Sequence, residues 1–234
     1  MRGVMRLSCL ILVLVLAQAA LCTAQRTPLP VHEVVKKVQE LYSRQCCFKA
    51  EFDQVTVNVA MDLKDRFKGT MFIKSPGLMA LEVTSPEKQR VIIKGRSYSV
   101  YLPGEKSVVH GEVPPEMNIE HFFGFLSNIG DLNRNFTIGY PSKPQERDEN
   151  LWLLELTDRE NKEGTYRIVV GVDTRTYVIR RAVIYDALGN YNRFELSNVV
   201  FLKFLPEGLF EFSRDTTSAQ GPVIPLLPKD EGGK

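Results

Sequence analysis

Turn chemistry recurs between Phe67 and His110 at intervals too short for helices. Ser75-Pro76-Gly77, Ser85-Pro86-Glu87, Gly95-Arg96 and Pro103-Gly104 cut the chain into runs of Val, Ile, Leu, Met and Tyr. Proline fixes φ and removes a donor, and glycine supplies the positive φ that a tight turn demands. Punctuation of this kind predicts strands over residues 67–74, 78–84, 89–94, 97–102 and 106–110, joined as antiparallel neighbours. Several of these runs are apolar on both alternating faces, so the sheet carries more apolar surface than one covered on a single side needs.

Two elements precede the meander. From Pro28, Val31, Val34, Val35, Val38, Leu41 and Tyr42 recur at the spacing of one helical stripe, with Glu33, Lys36, Lys37, Glu40 and Arg44 opposite; this predicts an amphipathic helix lying on something apolar. The stretch FKAEFDQVTVNVAM follows, with Phe48, Ala50 and Phe52 on one alternating face and Val55, Val57, Val59 and Met61 on the other. The apolar phase slips near Gln54, which predicts a bulge or bend there.

Residues 114–134 change the rhythm. Met117, Ile119, Phe122, Phe123, Leu126 and Ile129 fall at helical spacing, which predicts a second helix, rich in phenylalanine. Strands then resume over 135–140, 151–157, 166–172, 177–186 and 191–204, the last with Phe194, Leu196, Val200, Leu202 and Phe204 on one face. About eleven strands in one sheet must curl, close or be covered. The expected fold is therefore mainly β with helices: one antiparallel sheet that curls, closes or is covered, and that presents a concave apolar face if it curls.

The first 24 residues read as a cleaved export signal. Arg2 and Arg6 precede an apolar run from Leu7 to Leu21, and Cys22-Thr23-Ala24 offers small residues for cleavage. The expected organisation is a signal peptide over 1–24, one mainly β domain over 25–212 and an extended tail over 213–234. Cleavage removes two arginines and leaves 28 basic residues against 28 acidic ones. A balanced chain without a basic block offers nucleic acid no electrostatic footprint.

Only Cys46 and Cys47 remain beyond the signal, and a single adjacent pair makes no disulfide framework. Free thiols and an oxidised pair are both compatible with the sequence. His32, His110 and His121 are scattered, and no nucleophile elbow, zinc pattern, phosphate loop or calcium loop is present. Neither an enzyme nor a cofactor or metal site is expected. What remains is an exported curved sheet whose apolar concavity is either a solid core or, loosely covered, a site for acyl chains.

The ordered set of Phe48, Ala50, Phe52 and Gln54, then Gly69, Lys74, Pro76 and Gly77, then Pro86, Gln89, Gly95, Tyr101 and Pro103, and finally Leu209, Phe210 and Phe212 resembles the LolA family, periplasmic carriers of outer-membrane lipoproteins. The resemblance implies an unclosed β-barrel with a helical lid that binds the acyl chains of triacylated lipoproteins, receives them from a LolCDE-type inner-membrane transporter and delivers them to a LolB-type receptor. It implies a periplasmic monomer. The residues it assigns to cavity and lid are Val34, Val38, Leu41, Phe52, Met71, Ile73, Met79, Leu81, Met117, Ile119, Phe122, Phe123, Leu126, Ile129, Phe194 and Leu196. Ser75 stands where the family commonly has an arginine that holds the lid, and Met79 and Leu81 stand where aromatic residues are usual. A LolB-like lipid-anchored receptor and an RseB-like lipid sensor share this fold and are the alternatives.

Overall fold

The computed structural model describes residues 29–95, 97–102, 107–112, 132, 136–142, 148–159, 166–212 and 217–220. The helix expected over 114–134 lies outside them, apart from Leu132.

Helix α1 spans Val31–Ser43 and buries Val34, Val35, Val38 and Tyr42. Lys36 and Glu40 pair across one turn of its solvent side at 3.9 Å. Val31 and Leu41, at the margins of the stripe, are half-buried.

Among the described residues twelve strands follow: β1 Cys47–Asn58, β2 Leu63–Lys74, β3 Leu78–Ser85, β4 Gln89–Lys94, β5 Ser97–Leu102, β6 Ser107–Glu112, β7 Phe136–Gly139, β8 Leu151–Asp158, β9 Tyr166–Asp173, β10 Ile179–Asp186, β11 Tyr191–Leu202 and β12 Thr217–Gln220. They form one sheet in the order β12-β6-β5-β4-β3-β2-β1-β11-β10-β9-β8-β7. All neighbours are antiparallel except β12, which runs parallel to β6. β7 and β12 sit at opposite edges and do not pair with each other, so the barrel is unclosed. Two meanders, β2–β6 and β7–β10, meet where β1 pairs with β11 in the middle of the sheet. β12 falls within the stretch read from sequence as an extended tail.

Registers define the two faces. Phe48, Ala50 and Phe52 of β1 lie in one surface with Met71 and Ile73 of β2, Met79 and Leu81 of β3, Val91 and Ile93 of β4, and Phe194 and Leu196 of β11. All are buried. Because α1 packs on it, this is the inner face.

Two sequence expectations about register are corrected. β1 has no bulge at Gln54: it pairs with β2 without a break from Cys47↔Lys74 to Asn58↔Leu63. The strand keeps its phase, so the polar Gln54 and Thr56 point inward while Val55 and Val57 are only half-buried on the outer side. The bulge is in β11, where Lys49 pairs with Val200 and Glu51 with Ser197, leaving Asn198 and Val199 opposite Ala50. Asn198 takes φ 49°, and its amide reaches Glu51 Oε2 at 2.8 Å. An extra residue inverts the alternation beyond it. Phe201 therefore turns inward to Tyr42, with ring centroids 5.2 Å apart, and Val200 and Phe204, expected to share the face of Phe194, are exposed.

The outer face has its own small core. After β11 the chain crosses it as a strap, with a 3₁₀ turn at Glu207–Phe210. Leu205 and Phe210 bury themselves against Cys47, Ala80 and Ile92, flanked by Phe72, Leu78, Leu202, Leu209 and Phe212. Arg90 Nη2 donates to the Leu209 carbonyl at 2.8 Å, Lys74 pairs with Glu207, and Lys94 lies 3.9 Å from Glu211. Cys46 and Cys47 form a disulfide between neighbouring residues at the start of β1.

Gly69 marks a close approach. Lys68 pairs with Ser85 and Gly69 with Val83, so Thr84 is bulged. A Cβ at Gly69 would stand 2.1 Å from the Glu82 carbonyl oxygen.

Candidate functional site

Among the described residues the inner face is an extended apolar surface built from several strands. Of the sixteen residues expected from sequence to line it, Phe52, Met71, Ile73, Met79, Leu81, Phe194 and Leu196 come from four strands and share it. The rings of Phe52 and Phe194 lie 6.2 Å apart, tilted by 57°. Val34 and Val38 of α1 are fully buried, whereas Leu41 is half-buried at the helix edge. Met117, Ile119, Phe122, Phe123, Leu126 and Ile129 lie outside the described residues. Ser75 is exposed in the β2–β3 turn, with its N–H donating to the Cys46 carbonyl at 2.9 Å.

Alternation puts this surface on one side, because successive side chains of a strand point to opposite faces. Meander connections then place like-phased residues of adjacent strands side by side. β8 to β10 extend the surface with Leu154, Leu156, Ile168, Val170, Val172 and Ala182, all buried.

Tyr42 fixes α1 to this face. Its ring meets Phe48 edge-on at 5.7 Å and Phe201 at 5.2 Å. The main-chain N–H of Ile179 donates to its phenol oxygen at 3.1 Å. Burial holds the Tyr42 phenol well above the ordinary tyrosine range, against a smaller opposing effect of that hydrogen bond, so the group stays neutral.

Sequence patterning missed a polar group on the same surface. Gln54 is fully buried between Phe67 of β2 and Phe194 of β11. Its Nε2 donates to Thr56 Oγ1 at 3.3 Å, and Thr56 stands opposite Asn192 of β11. Thr56 and Asn192 are buried too. Strict alternation from Phe48 would have found Gln54 and Thr56; the apolar Val55 and Val57 between them drew the reading to the wrong face. Elsewhere on the inner face the indole N–H of Trp152 is buried without a hydrogen-bond partner among the described residues.

The outer face offers a smaller recess of about 200 Å³ lined by Leu153, Val169, Arg181, Val183, Tyr185, Tyr191 and Arg193. Its two guanidiniums face two carboxylates: Arg181 and Arg193 both reach Glu195, at 2.6 and 2.8 Å, and Arg181 lies 3.8 Å from Asp148. Among the described residues no three His, Cys, Asp or Glu side chains stand together as metal ligands, and no helix is long and apolar enough to cross a membrane.

A family model described as outer membrane lipoprotein carrier protein LolA matches residues 45–213. The chain belongs to the LolA family. The match takes in β1 to β11 and the outer strap, and begins after α1. Among LolA relatives, the outer-membrane lipoprotein carrier protein of Dechloromonas aromatica is 22% identical over 187 residues, covering 80% of this chain and 86% of that one. That of Psychromonas ingrahamii is 23% identical over 185 residues, covering 75% and 81%. A solved LolA superfamily protein from Nitrosomonas europaea superposes with a TM-score of 0.43 at 15% identity, over 79% of this chain and 99% of that one.

Proposed function

We propose that this chain is a periplasmic carrier that holds the acyl chains of lipoproteins against the inner face and shuttles them from an inner-membrane LolCDE-type transporter to a LolB-type receptor at the outer membrane. It is read as exported by a cleaved signal and acting as a monomer, without catalysis. The single observation that supports this reading is the assembly of Phe52, Met71, Ile73, Met79, Leu81, Phe194 and Leu196 on one buried face of an unclosed sheet, under an amphipathic helix, in a LolA-family chain.

Magnitudes constrain how such a carrier works. Burying acyl chain yields about 0.8 kcal/mol per methylene, so three chains of roughly fourteen methylenes would yield on the order of 30 kcal/mol. Non-covalent affinities saturate near about 20 kcal/mol, and a carrier must also release. Cargo is therefore covered only in part and displaces something that otherwise occupies the face. Val34 and Val38 of α1 leave the inner face as the chains enter and return on delivery. Ser75 gives the cover no arginine latch, so Tyr42 takes a larger share in holding α1 down.

Native mass spectrometry of protein purified from its own periplasm tests the reading, with any adduct identified after denaturation. A lipoprotein or other acylated adduct is expected. A bare chain that also fails to bind a fluorescent fatty acid overturns the carrier and leaves the inner face a plain core.

A further inference from the structure

Arg44 and Gln45 alone separate the end of α1 at Ser43 from Cys46, and β1 starts at Cys47. Within this short link the chain passes from the helix to the sheet. Tyr42 packs inward on Phe48, whereas the Cys47 side chain points outward into the core of Ala80, Ile92, Leu205 and Phe210. Cys46 is exposed and Cys47 is buried. The disulfide between them therefore fastens a solvent-facing residue of the link to one held inside the outer core.

The main chain here is already held while α1 lies on the inner face. The Cys46 carbonyl accepts the Ser75 N–H at 2.9 Å, and Cys47 pairs with Lys74 of β2 and Leu202 of β11. With the helix in place the disulfide thus adds little order. Main-chain acceptors also stand beside both sulfurs: Cys46 Sγ lies 3.2 Å from the Lys203 carbonyl oxygen and Cys47 Sγ 3.5 Å from that of Leu202. A thiol is a weak donor, and a buried one packs as a small hydrophobe. The site has a place for the reduced pair as well as for the oxidised one.

We infer that Cys46 and Cys47 form a redox-modifiable joint that sets how easily α1 leaves the inner face. This rests on the carrier reading above, in which α1 and cargo compete. The reductant class it takes is a dithiol. One thiolate of the reductant attacks the Cys46 sulfur, the one reached from solvent; the S–S bond breaks, and Cys47 leaves as a thiolate and takes a proton. The second thiolate then attacks the reductant's own sulfur in the mixed disulfide, which releases Cys46 as a thiol and leaves the reductant as a disulfide. Two electrons pass to the protein. Oxidised, the pair stays closed in one ring even after α1 has lifted; reduced, Cys46 regains backbone freedom in the lifted state. Freedom gained only there favours lifting, as a cross-link acts chiefly on the less ordered state.

The test measures the affinity of the exported chain for a fluorescent fatty acid before and after reduction by dithiothreitol. Iodoacetamide in denaturant, read by mass, counts the thiols: it should label neither Cys46 nor Cys47 before reduction and both after it. The reduced protein is expected to bind about fivefold more tightly, the effect of about one residue's backbone freedom. Cys46→Ser, an exposed substitution that cannot close the ring, should match it with or without reductant. Labelling of both cysteines in protein purified without reductant overturns the joint. Equal or weaker binding by the reduced protein overturns the joint and leaves the carrier intact, as does a response to dithiothreitol that persists in Cys46→Ser. Binding by neither form overturns the carrier and the joint together.

Discussion

The main-chain N–H of Ile179 donates to the phenol oxygen of Tyr42 at 3.1 Å, joining α1 to a strand 137 residues further along the chain. The bond is buried, and beside it the Tyr42 ring lies edge-on to Phe48 and Phe201. The helix is held by this hydrogen bond at its last turn, by Lys37 Nζ over the Tyr177 ring at 5.1 Å and by apolar packing, so the hydrogen bond can be separated from the rest.

Tyr42→Phe keeps the ring and removes the acceptor. The Ile179 N–H is then buried unpaired, at a cost of about 1–3 kcal/mol. Urea denaturation should report that loss with an unchanged slope. If α1 competes with cargo for the inner face, a fluorescent fatty acid should bind the same variant more tightly; weaker binding would mean that α1 forms part of the site instead of covering it.

Gly69→Ala tests the close approach of β2 and β3. The new Cβ would stand 2.1 Å from a main-chain oxygen, which cannot swing away as a flexible side chain could. The strands must part locally, at a cost of about 3 kcal/mol, the upper range for forced overpacking. Thermal melting should fall by many degrees, whereas Gly139→Ala, with no atom within 4 Å of the added Cβ and no positive φ, has no such contact to relieve.

Phe210→Ala separates the outer core from the inner one. Phe210 is among the largest fully buried side chains and packs on Cys47, Ala80, Ile92 and Leu205. Truncation should cost about 3–5 kcal/mol of unfolding free energy. Since the strap lies across the sheet from the proposed cargo, fatty-acid affinity of the folded protein should not change; a matching fall in affinity would place the strap in the site.

Acid stability should follow the carboxylates held below their ordinary range. Hydrogen bonds from Arg66, the shorter at 2.5 Å, lower Asp53 against burial, and Lys68 adds to them. Asp173 is lowered although burial opposes it, because the N–H groups of Thr176 and Arg175 and the Thr176 hydroxyl all donate to it. A folded value below the unfolded one gives stability that is present above about pH 4 and lost as pH falls through the folded value. Unfolding free energy should be level from neutrality to about pH 4 and decline below it. Asp53→Asn should flatten part of that decline, by a small amount that shrinks with added salt, because Arg66 is largely exposed.

Much of this fold was legible because turns are local. Pro76-Gly77 and Gly95 mark their reversals in the sequence itself, and Gly77 and Gly95 indeed take positive φ. The strands of the two meanders fall within a few residues of the predicted ones for that reason. The bulge in β11 was not legible: Asn198 carries no special signal, and what requires it is the pairing of β11 with β1, a partner far away in sequence. The inward course of Gln54 and Thr56 was hidden for a related reason. Apolar periodicity assumes that a buried face is apolar, and it fails where a buried face carries hydrogen-bonding groups. The outer core was half visible, in Leu209-Phe210 and Phe212, but nothing local says that Phe210 crosses to the far side of the sheet to meet Cys47.

The placement of β1 beside β11 also sets an order of events. Each meander consists of neighbours in sequence and can form as soon as its own residues are available. The seam between them cannot, because contacts such as Glu51 to Asn198 span 147 residues and the entropy of closing so long a loop must be met before any of them stabilises the chain. On the export route proposed above, the chain crosses a membrane unfolded and gains from that delay. Until Tyr191 to Leu202 pairs with β1, the inner face is two separate half-surfaces, and only the joining of the first strand to the eleventh makes it one.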